Sequence, residues 1–319
     1  MRWGFLGASR IGRRALAPAV LECGHVINAV AARDEARARA FADGFGATRA
    51  YGDYAALIDD PRVDAVYISV TNDAHVTWAE RALAAGKHVL CEKPLGLDEA
   101  EVSRLQAAEA RSGRRAMEAL CHVHHPQIAR VRTVLAEGAL GDLTAVQAVF
   151  GVPLRAPEDF RWDAALGGGV LLDLGTYCVS LMRLLLGEPG AVSAIRGMCC
   201  GVDATFGGQL DFAGVVGQFS CSFVSAATQH MEVVGSRGTL LMDWPISTKG
   251  REAGLFLDGQ AERFPAVDPY VLMVRHFERL AGGDAAAEGF GLDWSRAQAR
   301  ALDALAVAAR ERRVVLLGV

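Results

Sequence analysis

The chain predicts a doubly wound α/β domain followed by an α+β domain on a large, mostly antiparallel open sheet. Three observations carry that expectation: apolar runs alternating with helical segments as far as residue 91, a glycine turn after the first run, and a change of texture after Gly138-Ala139-Leu140-Gly141-Asp142. In order, residues 3–6 read as a short apolar strand, 13–22 as a helix and 25–32 as a second strand. Then come a helix over 35–42, a short helix over 54–58, a buried strand over 65–70, a helix over 76–85 and a strand over 88–91. Strands separated by helices belong to a parallel sheet with helices on its faces. Past residue 142, strand-like segments at 143–152, 192–200, 208–212, 214–224, 230–235 and 238–243 follow one another across glycine and aspartate turns, which implies antiparallel pairing. The length, 319 residues, suits about two domains of roughly 150 residues, placed at 1–118 and 119–319.

The first strand runs directly into Gly7-Ala8-Ser9-Arg10-Ile11-Gly12, with helical composition behind it. Strand, glycine turn and helix in this order suit a Rossmann dinucleotide site, because small residues let the backbone approach a pyrophosphate and the helix start offers free N–H groups to it. Gly7, Ser9, Arg10, Ile11 and Gly12 are therefore candidate cofactor contacts, although Ser9 departs from the G-x-G-x-x-G pattern at its middle position. At the end of the second strand, where an acid would hold a ribose 2′-hydroxyl, the chain reads Ala32-Arg33-Asp34. Arg33, with Arg37 one helical turn on, suits a 2′-phosphate, so NADP(H) is favoured, while Asp34 keeps NAD(H) open.

The chain holds only three lysines, and one of them, Lys93, lies in Cys91-Glu92-Lys93-Pro94 directly after a strand. An arginine stays protonated at working pH, whereas a lysine in a desolvated cleft exchanges a proton, so chemistry can resist its replacement. Ligands of such sheets lie beyond the carboxyl ends of the strands. That places Thr71, Asn72, Glu92 and Lys93 on the cofactor side, with His75 reading equally as a cofactor contact or a helix cap.

In the second half, Gly167-Gly168-Gly169 precedes an apolar helix over 170–183 that carries Asp173 and Tyr177 at i and i+4, on one face of a regular helix. A carboxylate there needs a cationic or hydrogen-bonding partner, and Lys93 is one candidate. The segment Gln218-Phe219-Ser220-Cys221-Ser222-Phe223 is expected to present Val, Phe and Cys outward, a face that a second copy would cover.

Composition excludes other classes. With 51% hydrophobic and 22% charged residues and a net charge of −4, nothing is basic enough for nucleic acid. No apolar run approaches the roughly 20 residues of a membrane span, and the start is too soon broken by glycine to be a secretory signal. Seven cysteines without a C-x-x-C pair read as reduced core residues of a cytoplasmic protein. Cys121-His122-Val123-His124-His125 has no accompanying ligand set, so no metal is expected.

Together the glycine turn, Cys91-Glu92-Lys93-Pro94, Met117-Glu118-Ala119, the stretch from Gly167 to Tyr177 and Gly235-Ser236-Arg237-Gly238 resemble the glucose-fructose oxidoreductase, inositol dehydrogenase and rhizopine-catabolism (Gfo/Idh/MocA) family over nearly the whole chain. Closest in wording are its dimeric dihydrodiol dehydrogenases and NADP-dependent xylose dehydrogenases. The resemblance implies a catalytic Lys93 and Tyr177 with Asp173 nearby, and substrate contacts from His122, Arg161 and Trp162. It also implies a homodimer through the open sheet faces, with a tetramer left open. Val123 replaces an arginine that often lines the pocket in relatives, so specificity does not transfer. The expected activity is NADP(H)-dependent hydride transfer to or from a secondary alcohol or ketone of a cyclic sugar, polyol or dihydrodiol. A non-catalytic dinucleotide-binding sensor of the same fold is the alternative.

Overall fold

The computed structural model describes residues 1–318. They divide into two compact units, Met1–Leu120 with Tyr270–Arg296, and Cys121–Pro269 with Ala297 onward.

The first unit runs β1 (Arg2–Leu6), α1 (Ala17–Glu22), β2 (Val26–Ala31), α2 (Glu35–Asp43), β3 (Arg49–Tyr51), α3 (Tyr54–Ile58), β4 (Ala65–Ile68), α4 (His75–Ala84), β5 (His88–Cys91), α5 (Glu99–Ser112) and β6 (Ala116–Glu118). These strands form one sheet in the order β3-β2-β1-β4-β5-β6, every pair parallel. That is the doubly wound dinucleotide-binding order, whose direction reverses between β1 and β4 and opens a crevice beyond their carboxyl ends. Strands covered on both faces must be apolar throughout, and every residue of β4, Ala65-Val66-Tyr67-Ile68, is buried. Asp34 and Asp53 cap α2 and α3 by accepting backbone N–H bonds, which starts each helix on time. Residues 270–296, assigned by the sequence reading to the second domain, pack with the first unit. They carry most of α8 (Pro269–Ala281), whose Phe277 is fully buried with its ring 5.3 Å from that of Trp3.

The second unit holds α6 (Pro126–Ala136), β7 (Leu143–Gly151), α7 (Thr176–Leu186), β8 (Ala191–Cys199), β9 (Val202–Phe212), β10 (Val215–Ser222), β11 (Thr228–Gly235), β12 (Thr239–Asp243), β13 (Ala253–Leu257), β14 (Gln260–Phe264), the greater part of α9 (Leu292–Glu311) and β15 (Val315–Leu316). The sheet order is β14-β13-β12-β11-β7-β10-β9-β8-β15, antiparallel except for β7 beside β10. Alternation decides its faces. Phe206, Leu210 and Phe212 of β9 and Met231 and Val233 of β11 point into a core shared with α6, α7 and α9. The same alternation corrects an expectation: Phe219, Cys221 and Phe223 are buried, and the outward positions of that segment are Gln218, Ser220 and Ser222.

The stretch Ala164–Leu186 does reach the length and hydropathy of a membrane span, contrary to the sequence reading, but 72% of its apolar 18-residue window is buried, as in a core helix. The helix itself is not regular. Leu171–Gly175 is a π turn, and the α form begins only at Thr176. Asp173 and Tyr177 thus straddle a change of pitch, and the one-face argument from a 3.6-residue period does not hold between them.

Candidate active site

In the first unit the glycine turn is built as a close approach. Gly7 has φ +101°, and a Cβ there would meet the Ser69 carbonyl oxygen at 2.5 Å. Ser9, the departure from the glycine pattern, is used by the protein itself: its hydroxyl donates to Ser69 Oγ at 2.8 Å and accepts the Gly12 N–H at 3.0 Å. That links the end of β1 to the end of β4. Gly12 allows the helix to lie against the strand, since a Cβ would sit 3.3 Å from the Tyr67 ring. Arg10 and Ile11 are exposed at the helix start, and the following π turn over Gly12–Leu16 has no acid in its first turn. An exposed helix start without an opposing carboxylate suits a pyrophosphate.

The 2′-position choice becomes sharper. The carboxylate of Asp34 accepts the N–H groups of Ala36 at 2.8 Å and Arg37 at 3.4 Å, so it is spent on the start of α2. Arg33 and Arg37 are exposed and form no ion pair among the described residues. Two guanidinium groups and a committed acid fit a phosphate better than a bare hydroxyl.

Around Lys93 the chain is anchored on both sides. Tyr67, fully buried in β4, donates to Glu92 Oε1 at 2.6 Å, and burial first, then the Glu92 charge, pushes its phenol well above the usual range. On the other side the Leu95 N–H donates to Glu118 Oε1 at 3.0 Å. His75 is buried, with Nδ1 2.8 Å from the Pro94 carbonyl and Nε2 3.3 Å from the Val70 carbonyl. Burial lowers its pKa, and a neutral imidazole donates from one nitrogen only, which the shorter contact assigns to Nδ1. His75 therefore ties the exit of β5 to the exit of β4, a brace beneath Lys93 that neither sequence reading foresaw. Asn72 is buried as well, while Thr71, Glu92 and Lys93 are half-buried.

In the second unit, Asp159 caps the short turn Phe160–Trp162 by accepting the Arg161 N–H. Arg161 then reaches Asp159 at 3.1 Å and Asp173 at 2.9 Å. Burial works to lower the Arg161 pKa, but Asp173 and then Asp159 outweigh it and hold it raised. The cation shown beside Asp173 is therefore Arg161, from a turn 12 residues upstream. Gly168 makes room for this turn, since a Cβ would lie 2.5 Å from the Arg161 carbonyl oxygen. Trp162 meets Phe223 edge to face at 5.5 Å.

Tyr177 is half-buried, with His122 and Phe150 packed edge-on to its ring at 5.0 and 5.7 Å. His122 is fully buried, which takes it out of a direct substrate role; its Nε2 lies 3.0 Å from Ser180 Oγ, and that hydroxyl donates to the Tyr177 carbonyl at 2.9 Å. His125 is buried too and caps α6 through Nδ1. Among the described residues no three His, Cys, Asp or Glu side chains gather as a metal set. Sequence reading missed Tyr67, Ser69, Asp159 and Ser180, and it named Glu118 only as part of a motif. Each acts through another residue, and only Tyr67 and Ser69, hydroxyls in an otherwise apolar strand, left a signal.

The 3-2-1-4-5-6 sheet, the glycine turn and the anchored strand-end lysine define the class, a nicotinamide-dependent oxidoreductase. The chain belongs to the Gfo/Idh/MocA family: residues 1–120 match the oxidoreductase family's NAD-binding Rossmann fold, and residues 128–241 match the family's C-terminal domain. Among its relatives, it is 36% identical over 288 residues to an NADP-dependent D-xylose 1-dehydrogenase of Haloferax volcanii, covering 88% of each chain. It is 40% identical over 246 residues to a trans-1,2-dihydrobenzene-1,2-diol dehydrogenase of Sus scrofa, covering 75% of this chain and 72% of that one. A 3-ketoreductase from Actinomadura kijaniata, solved with NADP and TDP-benzene, superposes over 97% of both chains with a TM-score of 0.91 at 31% identity.

Proposed function

We propose that this protein moves hydride between NADP(H) and a secondary alcohol or ketone of a cyclic sugar, polyol or dihydrodiol. The observation that carries the cofactor choice is the commitment of Asp34 to its helix cap while Arg33 and Arg37 stay exposed. Gly7, Arg10, Ile11 and Gly12 would hold the pyrophosphate, Thr71, Glu92 and Lys93 would border the nicotinamide, and the nicotinamide, when bound, supplies or accepts the hydride.

The chain's own residues handle the proton. Tyr177 Oη gives it to the substrate oxygen or takes it away, and the Lys93 ammonium favours the phenolate and orients the hydroxyl. The pairing of these two groups rests on the family resemblance. Asp173, beside the Arg161 cation, accepts a hydrogen bond from a second substrate hydroxyl. Asp159 and Asp173, gathered around the Arg161 guanidinium, offer carboxylate oxygens as acceptors to neutral hydroxyls. Trp162, held edge to face by the buried Phe223, offers an apolar wall to a ring face.

The same reading includes a homodimer and a cytoplasmic setting. Outward residues of the large sheet surround a concavity of about 1080 Å³ with Val149, Ile195, Gln209 and Gln218 on its walls, a surface a second copy would cover. All seven cysteines are free thiols, as suits a reducing compartment. A panel of aldoses, cyclic polyols, diols and their ketones, followed by NADPH absorbance, tests the activity. Turnover of at least one ring substrate is expected. Tight NADPH binding with no turnover on any would replace the enzyme with a cofactor-binding sensor.

A further inference from the structure

Cys199 and Cys200 do not share the buried setting expected of the cysteines. Both are exposed, at the tip of the β8–β9 hairpin. Cys199 pairs with Val202, which leaves Cys200 and Gly201 as a two-residue loop with φ of +54° and +87°. Positive φ at both loop positions is the type I′ turn, where asparagine or glycine is the ordinary choice and cysteine is not. The turn brings the two sulfurs to 3.4 Å.

We propose that Cys199 and Cys200 form a dithiol site for a soft, thiophilic ion of the monosubstituted trivalent arsenical class. Distances decide against a direct disulfide. Neighbouring residues across a trans peptide have Cα atoms about 3.8 Å apart, below the roughly 4.4–6.8 Å that disulfides require. A bridging atom has no such conflict. With bonds of about 2.3 Å to each sulfur, two thiolates at roughly 95° on a three-coordinate pyramidal centre lie about 3.4 Å apart, the separation the two sulfurs already have.

Ligand type and number narrow the ion. Two sulfurs without oxygen ligands select a soft ion over magnesium or calcium. A structural zinc needs four protein ligands, and among the described residues no third His, Cys, Asp or Glu joins the pair. An ion satisfied by two thiolates and its own organic substituent fits. The step balances without an oxidant: two S–H bonds and the As=O bond break, two As–S bonds form, and the oxygen leaves with both protons as water. Arsenic stays trivalent. The remaining thiols compete poorly, since Cys91, Cys121, Cys178 and Cys221 are buried, and Cys23 is half-buried with no cysteine beside it in the chain.

The site uses none of the residues assigned to catalysis, so its test stands whether or not the oxidoreductase reading holds. The intact protein is treated with phenylarsine oxide and its mass measured, then digested to locate the adduct. One phenylarsenic group per chain is expected on the peptide containing Cys199 and Cys200, resistant to excess monothiol and stripped by a dithiol. Cys199→Ser and Cys200→Ser should each lose that resistance, with circular dichroism and NADPH binding unchanged. No adduct on the wild type, an adduct on another cysteine, or a monothiol-resistant adduct in either variant would overturn the proposal.

Discussion

If Tyr177 Oη carries the proton, replacing the residue by phenylalanine keeps the ring that His122 and Phe150 pack against and removes only the transferable proton. Tyr177→Phe should then fold and bind NADPH normally while turnover falls by roughly 10² to 10⁴. Lys93→Met should damage turnover at least as much. Near-normal turnover in Tyr177→Phe with none in Lys93→Met would move the proton to Lys93. Arg33→Ala should weaken NADPH by roughly 1.5 to 3 kcal/mol through loss of a charge-assisted partner and leave NADH almost unchanged, as read by fluorescence titration. His75 makes a different demand, because it touches the Pro94 and Val70 carbonyls and serves as a positioning residue. His75→Ala should cost about 1–3 kcal/mol of stability by stranding a buried carbonyl. It should also lower kcat more than it raises the KM for NADPH, with partial rescue by His75→Gln; a change in KM alone would return His75 to a cofactor contact.

At the scale of elements, the segment before α7 is the part of the second unit that local pattern describes least well. Asp203, half-buried on β9, accepts the Leu171 N–H at 2.8 Å and so fastens the π turn to the sheet. Burial raises its pKa, and the backbone N–H bonds only partly offset that. Replacing it by alanine leaves a buried donor unsatisfied and should cost about 1–3 kcal/mol in chemical denaturation. Gly168→Ala drives a Cβ against two backbone carbonyls, those of Arg161 and Asp163 at 2.5 and 2.7 Å. The turn carrying Arg161 must then shift away from Asp173, so substrate KM should rise while NADPH affinity holds. Equal loss of both affinities would indicate general misfolding instead.

For the whole molecule, five histidines, His25, His75, His88, His125 and His276, have pKa values lowered by burial. A histidine depressed in the fold binds its proton more readily when unfolded, so its contribution is complete above the ordinary value of about 6.5 and is lost as pH falls below it. Glu109 and Asp203, raised by burial, act in the opposite sense as acid protonates them. Among the described residues the depressed histidines are the groups that titrate in this range, so the denaturation midpoint should fall as pH goes from about 7.5 to 5.5; a flat or rising profile would contradict this. Assembly belongs to the same scale. Sedimentation at micromolar protein should show a species of twice 33.9 kDa, and a lone monomer would refute the dimer. The outward sheet face carries Gln209, Gln218 and Ser220 between Val149 and Ile195, so the interface would mix polar and apolar contacts, unlike the apolar face read from the sequence.

What the sequence determined by itself was whatever depends on near neighbours. Strand and helix periods, the turn after β1, the absence of an acid at Ala32 and the place of Lys93 after β5 are set by residues a few positions apart, so the doubly wound order and the cofactor side were legible. Its reach ended where a side chain chooses a partner far along the chain. Ser9 meets Ser69 and His122 meets Ser180, 60 and 58 positions away, and no period announces such pairs. Asp34, which kept a ribose hydroxyl contact open, is a helix cap, and Asp173 lies beside Arg161, a cation 12 positions upstream that no helical period announces. Cys178 and Cys199 are one residue type in similarly apolar text, yet the first is buried with its thiol pushed up to about 12 and the second stands at an exposed hairpin tip. Burial and pairing are properties of the packed molecule, and the tertiary structure alone decides them.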